Sequence, residues 1–231
     1  MPYHDGVINL AGILGTTETI NTPEFCYSTN ITGAINLYEC LKQNKIKCVQ
    51  ISVGNYWMNN PYSITKNTAE KLSFYYNMNF ETDIRVVRAL NAYGPYQSHY
   101  PVRKLIPNLI LPAMNNEEIL IYGDGEQKMD MIYVEDLAKM LFFVLQKDNI
   151  DNETVYEAGM GFAPTVNQIC KKVISLTSSK SKINHVEMRK GEDPNSTVIG
   201  DPRTIKSIGY DINHLTELEA GLTKTIKYYS K

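Results

Sequence analysis

Apolar positions along this 231-residue chain alternate between two rhythms. Short runs rich in β-branched residues, "DGVINLAG" at the start, "IKCVQIS" at 46–52 and "DIRVVRAL" at 83–90, predict strands buried on both faces. Between them the spacing turns helical. Phe25, Ile31, Ala34, Ile35, Leu37, Tyr38 and Leu41 predict a helix from Pro23 to about Asn44, and a second long helix is predicted from Pro61 to about Asn79. Strands alternating with helices predict a parallel sheet layered by helices. The first strand ends in small residues, which suits a strand meeting a ligand at its C-terminal end.

After Gly94-Pro95 the rhythm loosens. A helix is predicted across "KLIPNLILPAM", strands at "EILIYGDG", "MDMIYV" and "ETVYEAG", and helices from Glu135 to about Gln146, over "TVNQICKKVISL" and over "LTELEAGLTKTIKYY". The glycines of "YGDGEQ" fit a hairpin turn. The chain shows no internal repeat or low-complexity segment. The expected organisation is one α/β domain over 1–95, with parts of 130–160, and a smaller mixed lobe drawn mainly from 96–130 and 160–231.

Composition narrows the function classes. A formal net charge of -2 gives no basic footprint for nucleic acid. No apolar run approaches the roughly 20 residues that cross a bilayer, and "MPYHDGVINLAG" lacks the basic start of a signal peptide, so a cytoplasmic protein is expected. Cys26, Cys40, Cys48 and Cys170 form no CxxC spacing and read as buried reduced thiols. His4, His99, His185 and His214 are too scattered to predict a metal site.

Candidate chemistry concentrates in "NNPYSITKNTAEKL", residues 59–72. Tyr62 and Lys66 lie four apart on a predicted helix, so both side chains reach the same space. A nearby ammonium favours the phenolate and lowers the tyrosine pKa from about 10 toward neutrality. In a chain with 16 tyrosines such a pair also arises without chemistry. Ser52 adds context: it ends a predicted buried strand, where its hydroxyl would face the crevice used by ligands in open α/β sheets. Together the three could form a relay in which Ser52 holds a substrate hydroxyl, Tyr62 takes its proton and Lys66 steers the tyrosine.

The order of "INLAG" (8–12), "NITGAINLYE" (30–39), "ISVGNYW" (51–57), "PYSITK" (61–66), "RALNAYGP" (88–95), "IYGDGEQKMDMIYVED" (121–136) and "GLTKTIKYY" (221–229) resembles the extended short-chain dehydrogenase/reductases, and within them the NAD-dependent epimerase/dehydratase family acting on nucleotide sugars. The resemblance covers nearly all of the chain. It implies a Rossmann-like, doubly wound parallel sheet with a substrate-binding lobe, and NAD or NADP as cofactor. It implies Ser52, Tyr62 and Lys66 as catalytic residues, and Leu10, Ala11, Gly12, Asn30, Tyr62 and Lys66 around the cofactor. Ser52, Asn91 and Arg189 would meet the substrate, Arg189 through the bidentate hydrogen bonds a guanidinium gives phosphate. Without the resemblance, Asn30 and Asn91 read equally as cap or turn residues and Arg189 as part of an exposed basic loop. Relatives often pair through the helices that correspond to 23–44 and 61–79, which implies a homodimer. The expected activity is epimerisation at a sugar carbon, commonly C4, with reduction of a 4-keto sugar as the alternative.

Four departures qualify the resemblance. No GxxGxxG or GxGxxG turn stands before residue 59, and about 60 residues with the first two strands would precede this start in a complete fold. A fragment that needs a partner segment for its cofactor is therefore a further expectation. Met129 stands where relatives carry an arginine, leaving Lys128 as a point charge. The stretch from Ser52 to Tyr62 is short and brings Trp57 and Met58 toward the sugar, or into the core. Val53 and Gly54 replace the aspartate and glutamate that dehydratases place after the serine or threonine, which disfavours elimination of water.

Overall fold

A computed structural model describes residues 4–231. The chain runs β1 (Gly6–Asn9), α1 (Pro23–Tyr27), a π-helical turn over Ser28–Thr32, α2 (Gly33–Asn44), β2 (Lys47–Val53), α3 (Pro61–Phe80), β3 (Ile84–Ala89) and β4 (Asn91–Tyr93). It continues with α4 (Leu105–Met114), β5 (Ile119–Tyr122), β6 (Lys128–Met129), β7 (Met131–Tyr133), α5 (Val134–Gln146) and β8 (Val155–Ala158). The last elements are α6 (Val166–Leu176), β9 (Ile183–Val186), β10 (Thr197–Val198), α7 (Arg203–Lys206) and α8 (Leu218–Tyr229).

The main sheet has the order β1-β2-β3-β8, and every pairing in it is parallel. Side chains alternate across a strand, so consecutive residues of β2 serve opposite layers. Cys48 packs with Tyr38, Leu41, Ala69, Tyr76 and Ile84 under α2 and α3. Val49 packs with Val87, Met140, Val144 and Tyr156 under α5. A third core, with Tyr93, Ile110, Ile121, Tyr133, Ile169, Val173 and Leu222, joins α4, α6 and α8 to the paired strands β4-β7 and β5-β9. This is the expected α/β architecture of a layered parallel sheet with a smaller mixed lobe.

The predicted 23–44 helix is continuous through its π-helical turn, where the buried Asn30 sits; such turns often mark functional segments. Three features differ from expectation. The segment from α7 to Leu215 returns to the sheet, where Ile205, Ile208, Tyr210, Ile212 and Leu215 pack with the α5 layer, so 160–231 is divided between lobe and sheet. The "YGDGEQ" turn does not make a hairpin. Gly123 and Gly125 adopt φ of 74° and 76°, and the flanking β5 and β6 pair instead with β9 and β10. Cys26, Cys48 and Cys170 are buried free thiols, but Cys40 is exposed on the outer face of α2. Among the described residues no helix is long and apolar enough to cross a membrane.

Candidate active site

Ser52 stands near the C-terminal end of β2, in register with Arg88 of β3. It is 2% exposed, and among the described residues its Oγ has no hydrogen-bond partner. A buried hydroxyl without a partner costs on the order of 1–3 kcal/mol, and this oxygen is left free to bond a group from outside the chain. The strand then leaves the sheet at Gly54, where a Cβ would come within 2.5 Å of the Leu90 side chain.

Helix α3 begins at Asn60, whose side chain accepts a hydrogen bond from the Ser63 N–H at 2.9 Å, with Pro61 in the first turn. This start places Tyr62 in the first turn and Lys66 one turn later, on the helix that packs over β2 and β3. Lys66 is 5% exposed, and burial alone pushes its ammonium down to about 8. Burial, with a smaller contribution from Cys26, pushes the Tyr62 hydroxyl up to about 12. The simple expectation that Lys66 lowers the Tyr62 pKa therefore does not hold in the free protein. Desolvation dominates both groups, and neither shift carries a contribution from the other.

Leu10 and Ala11 are exposed at the C-terminal end of β1, and Gly12 follows where a Cβ would stand 3.0 Å from Asn30 Oδ1. Asn30 lies behind this segment. Its Oδ1 accepts from the Ile13 N–H, and its Nδ2 donates to Ile13 O and to Thr65 Oγ1. Thr65 in turn donates to Tyr62 O, so one hydrogen-bonded path runs from the end of β1 to the first turn of α3. The polar side-chain atoms of Asn30 are engaged within the chain, and it braces the segment after β1 against the first turn of α3. Thr65 escaped the sequence reading, because a threonine inside a helical pattern carries no signal of a tertiary partner.

Asn91 opens β4 and holds Asp130 O through both its backbone N–H and its Nδ2. Arg189 follows β9 and is part-buried. It pairs with Glu18 at 3.5 Å, with Glu192, and with the face of Tyr122. Its Nε is buried without a partner. Lys104, just before α4, belongs to the same group: burial lowers its pKa, Glu18 opposes that shift and Arg189 adds to it. Glu18 and Lys104 were not singled out in the sequence, since neither falls in a motif. Met129 packs against the lobe core and the Lys128 side chain is exposed, so this edge offers no guanidinium. Trp57 is half-exposed and meets Tyr56 edge to face, Tyr56 also packs on the Arg88 guanidinium, and Met58 accepts a hydrogen bond from Asn55.

The family model described as "NAD dependent epimerase/dehydratase family" matches residues 3–159. The chain belongs to this family. Among curated members of known name, the trifunctional UDP-glucose 4,6-dehydratase/UDP-4-keto-6-deoxy-D-glucose 3,5-epimerase/UDP-4-keto-L-rhamnose-reductase of Arabidopsis thaliana is 33% identical over 174 residues, 74% of this chain and 25% of that protein. The low-salt glycan biosynthesis protein of Haloferax volcanii is 29% identical over 242 residues, covering 97% of this chain and 75% of its own length. The chain thus spans about a quarter of the first relative and three quarters of the second. A crystal structure of UDP-glucose 4-epimerase from Thermotoga maritima with UDP-glucose superposes with a TM-score of 0.90 at 25% identity, over 98% of this chain and 77% of that one. Epimerase/dehydratase members of this kind are named for UDP- and dTDP-activated sugars.

Proposed function

We propose that this chain carries the catalytic face of an NAD-dependent nucleotide-sugar epimerase acting at a sugar hydroxyl carbon, commonly C4. The observation that carries the reading is the buried, unpartnered Ser52 Oγ at the C-terminal end of β2, beside the capped helix that holds Tyr62 and an unpaired Lys66. Ser52 would accept or donate one hydrogen bond to the reacting sugar hydroxyl and so fix its position. Tyr62 would take the hydroxyl proton, with Lys66 holding the phenolate that results.

The residues present fit the nicotinamide-ribose end of a dinucleotide, while the glycine-rich turn that would hold its pyrophosphate is not among them. The exposed Leu10 to Gly12 segment opens at the strand ends where such cofactors lie, and the unpaired Lys66 ammonium can donate to a ribose hydroxyl. When bound, the nicotinamide supplies the hydride acceptor and donor; the chain supplies position and proton transfer. A Tyr62 pKa of about 12 in the free protein means that ligand binding must do part of the tuning, since added positive charge and the ordered Lys66 both favour the phenolate. Asn91 and Arg189 would meet the nucleotide part of the substrate. Val53 and Gly54 offer no second acid and base after Ser52, which favours epimerisation over dehydration. Reduction of a 4-keto sugar uses the same three residues and is the alternative.

The test is direct. With NAD, UDP-glucose and a segment that supplies the glycine-rich turn, the completed protein is expected to form UDP-galactose, and Tyr62→Phe to slow turnover by roughly 10²–10⁴-fold with an unchanged melting temperature. A folded Tyr62→Phe variant with wild-type turnover overturns the reading. Product formed only from a 4-keto sugar with NADPH selects the reductase alternative. The reading includes a homodimer through 23–44 and 61–79, supported by the exposed Phe25, Ile64, Tyr75 and Met78 on these helices.

A further inference from the structure

On α3, Glu70 lies one turn beyond Lys66, as Lys66 lies one turn beyond Tyr62. Residues at this spacing share a helix face about 5–6 Å apart at Cβ, and an ammonium and a carboxylate placed so normally pair. Here both are buried and they do not. Lys66 is 5% exposed and Glu70 3% exposed, yet burial alone sets the state of the lysine. Glu70 is taken from the other side. Arg88 of β3 donates from Nε to Glu70 Oε2 at 3.0 Å and from Nη2 to Glu70 Oε1 at 2.6 Å, a bidentate pair that engages both carboxylate oxygens. The same guanidinium reaches Glu157 of β8 at 3.2 Å and lies 3.7 Å from the centre of the Tyr56 ring in the loop after Ser52.

We propose that Arg88 is a positioning residue for the Tyr62–Lys66 pair: by holding both oxygens of Glu70 it prevents that carboxylate from capturing the Lys66 ammonium, which is left facing Tyr62 and the ligand space. The inference rests on the proposed roles of Tyr62 and Lys66. The charged and titratable groups on the elements packed around this part of α3 are consistent with it. Cys26 of α1 acts on Tyr62, and Tyr38 of α2 lies near Glu70 and donates to Ala69 O. Arg88 and Glu157 come from the sheet, and Tyr56 from the loop. Only Glu70 offers Lys66 a carboxylate at helical spacing, and Arg88 alone occupies both of its oxygens. The Arg88 backbone also pairs in register with Ser52, while its guanidinium ties the loop after Ser52, β8 and the tyrosine helix together.

The experiment reads Lys66 in the cofactor-free protein, from the pH dependence of its acylation by a limiting amine reagent followed by mass spectrometry. In Arg88→Met, Glu70 is released and the Lys66 pKa is expected to rise by about one unit, a roughly tenfold slower acylation at pH 7. The Arg88→Met/Glu70→Gln variant is expected to return to within about twofold of the wild-type rate, because no carboxylate remains to capture the lysine. An unchanged profile in a folded Arg88→Met protein overturns the inference, as does a double variant that keeps the slow rate. If Arg88→Met fails to fold, Arg88→Lys carries the test. A compact ammonium engages one carboxylate oxygen where the guanidinium engages two, so acylation is expected to slow by about twofold or more, and no change overturns the inference. Turnover of Tyr62→Phe separates the two readings. If it is retained while acylation shifts as stated, the catalytic reading fails alone. If it is lost while acylation does not shift, the role of Arg88 fails alone.

Discussion

Lys66 is the residue whose chemistry and stability pull in opposite directions. Its ammonium is favoured in the unfolded chain, with an ordinary value of 10.5, and disfavoured in the fold, at about 8. Below pH 8 both states carry the proton and the fold bears the whole burial penalty, on the order of 3 kcal/mol. Between about 8 and 10.5 the folded state has lost the proton and the unfolded state has not, so this contribution to stability rises with pH. Above that window the penalty is gone. Lys66→Met is therefore expected to stabilise the protein by about 2–3 kcal/mol at pH 7 and hardly at all at pH 11, while removing turnover. Chemical denaturation of both proteins at the two pH values checks it; a variant equally stabilised at both would show that methionine packing, not charge, is responsible. This tension was not visible in the spacing of Tyr62 and Lys66. Residue types and intervals placed the pair on one helix face, but the sign of each pKa shift depends on how deeply the fold buries it.

At the scale of elements, pieces with a sustained period or a compact apolar run were legible and pieces with neither were not. The 23–44 and 61–79 helices announced themselves because their apolar period repeats over many residues, and the three N-terminal strands because each is a compact run of β-branched residues. β4, β6, β9, β10 and α7 have two to four residues each, too few for a period, and their partners are distant in sequence. The candidate site follows the same division: Ser52, Tyr62 and Lys66 sit on long elements, while Arg88 drew notice only as part of a motif and its partner Glu70 drew none. Two elements carry checks of their own. Asn60→Ala removes the side chain that caps α3 and is expected to cost about 1 kcal/mol, read by urea denaturation, with a loss of turnover from the loosened turn that holds Tyr62. Gly221 is a poor helix former inside α8, kept where a Cβ would fall 2.1 Å from the hydroxyl oxygen of Tyr93. That ring is buried and donates to Leu218 O, so it cannot swing aside. Gly221→Ala, helpful by propensity alone, is expected to destabilise by about 1–3 kcal/mol through overpacking; a raised melting temperature would show that α8 can shift.

For the whole molecule the decisive contact crosses from the sheet to the lobe. Glu18, in the segment after β1, reaches Arg189 after β9 and also accepts from the Arg103 N–H, while Thr17 donates to Lys190 O beside it. The segment that should border the cofactor is thereby strapped to the residue proposed to meet the substrate's phosphates. Two cations, Arg189 and Lys104, face two carboxylates, Glu18 and Glu192, and a third cation, Arg103, donates to the Tyr122 hydroxyl beside them, so Arg189 is already engaged by carboxylates before any ligand arrives. A diphosphate that takes Arg189 has to displace Glu18 and accept the loss of its ion pair. Glu18→Gln removes the competing charge and keeps the shape, so UDP is expected to bind about three- to tenfold more tightly, or roughly 1 kcal/mol. Arg189→Ala is expected to bind UDP at least tenfold more weakly. Calorimetric titration of both variants with UDP distinguishes two roles for the strap. Weaker binding in Glu18→Gln, parallel to Arg189→Ala, would mean that the carboxylate orients the guanidinium for the ligand. Tighter binding means that it occupies the phosphate's place, and that entry of the substrate is coupled to release of the segment lying over the cofactor side of the sheet.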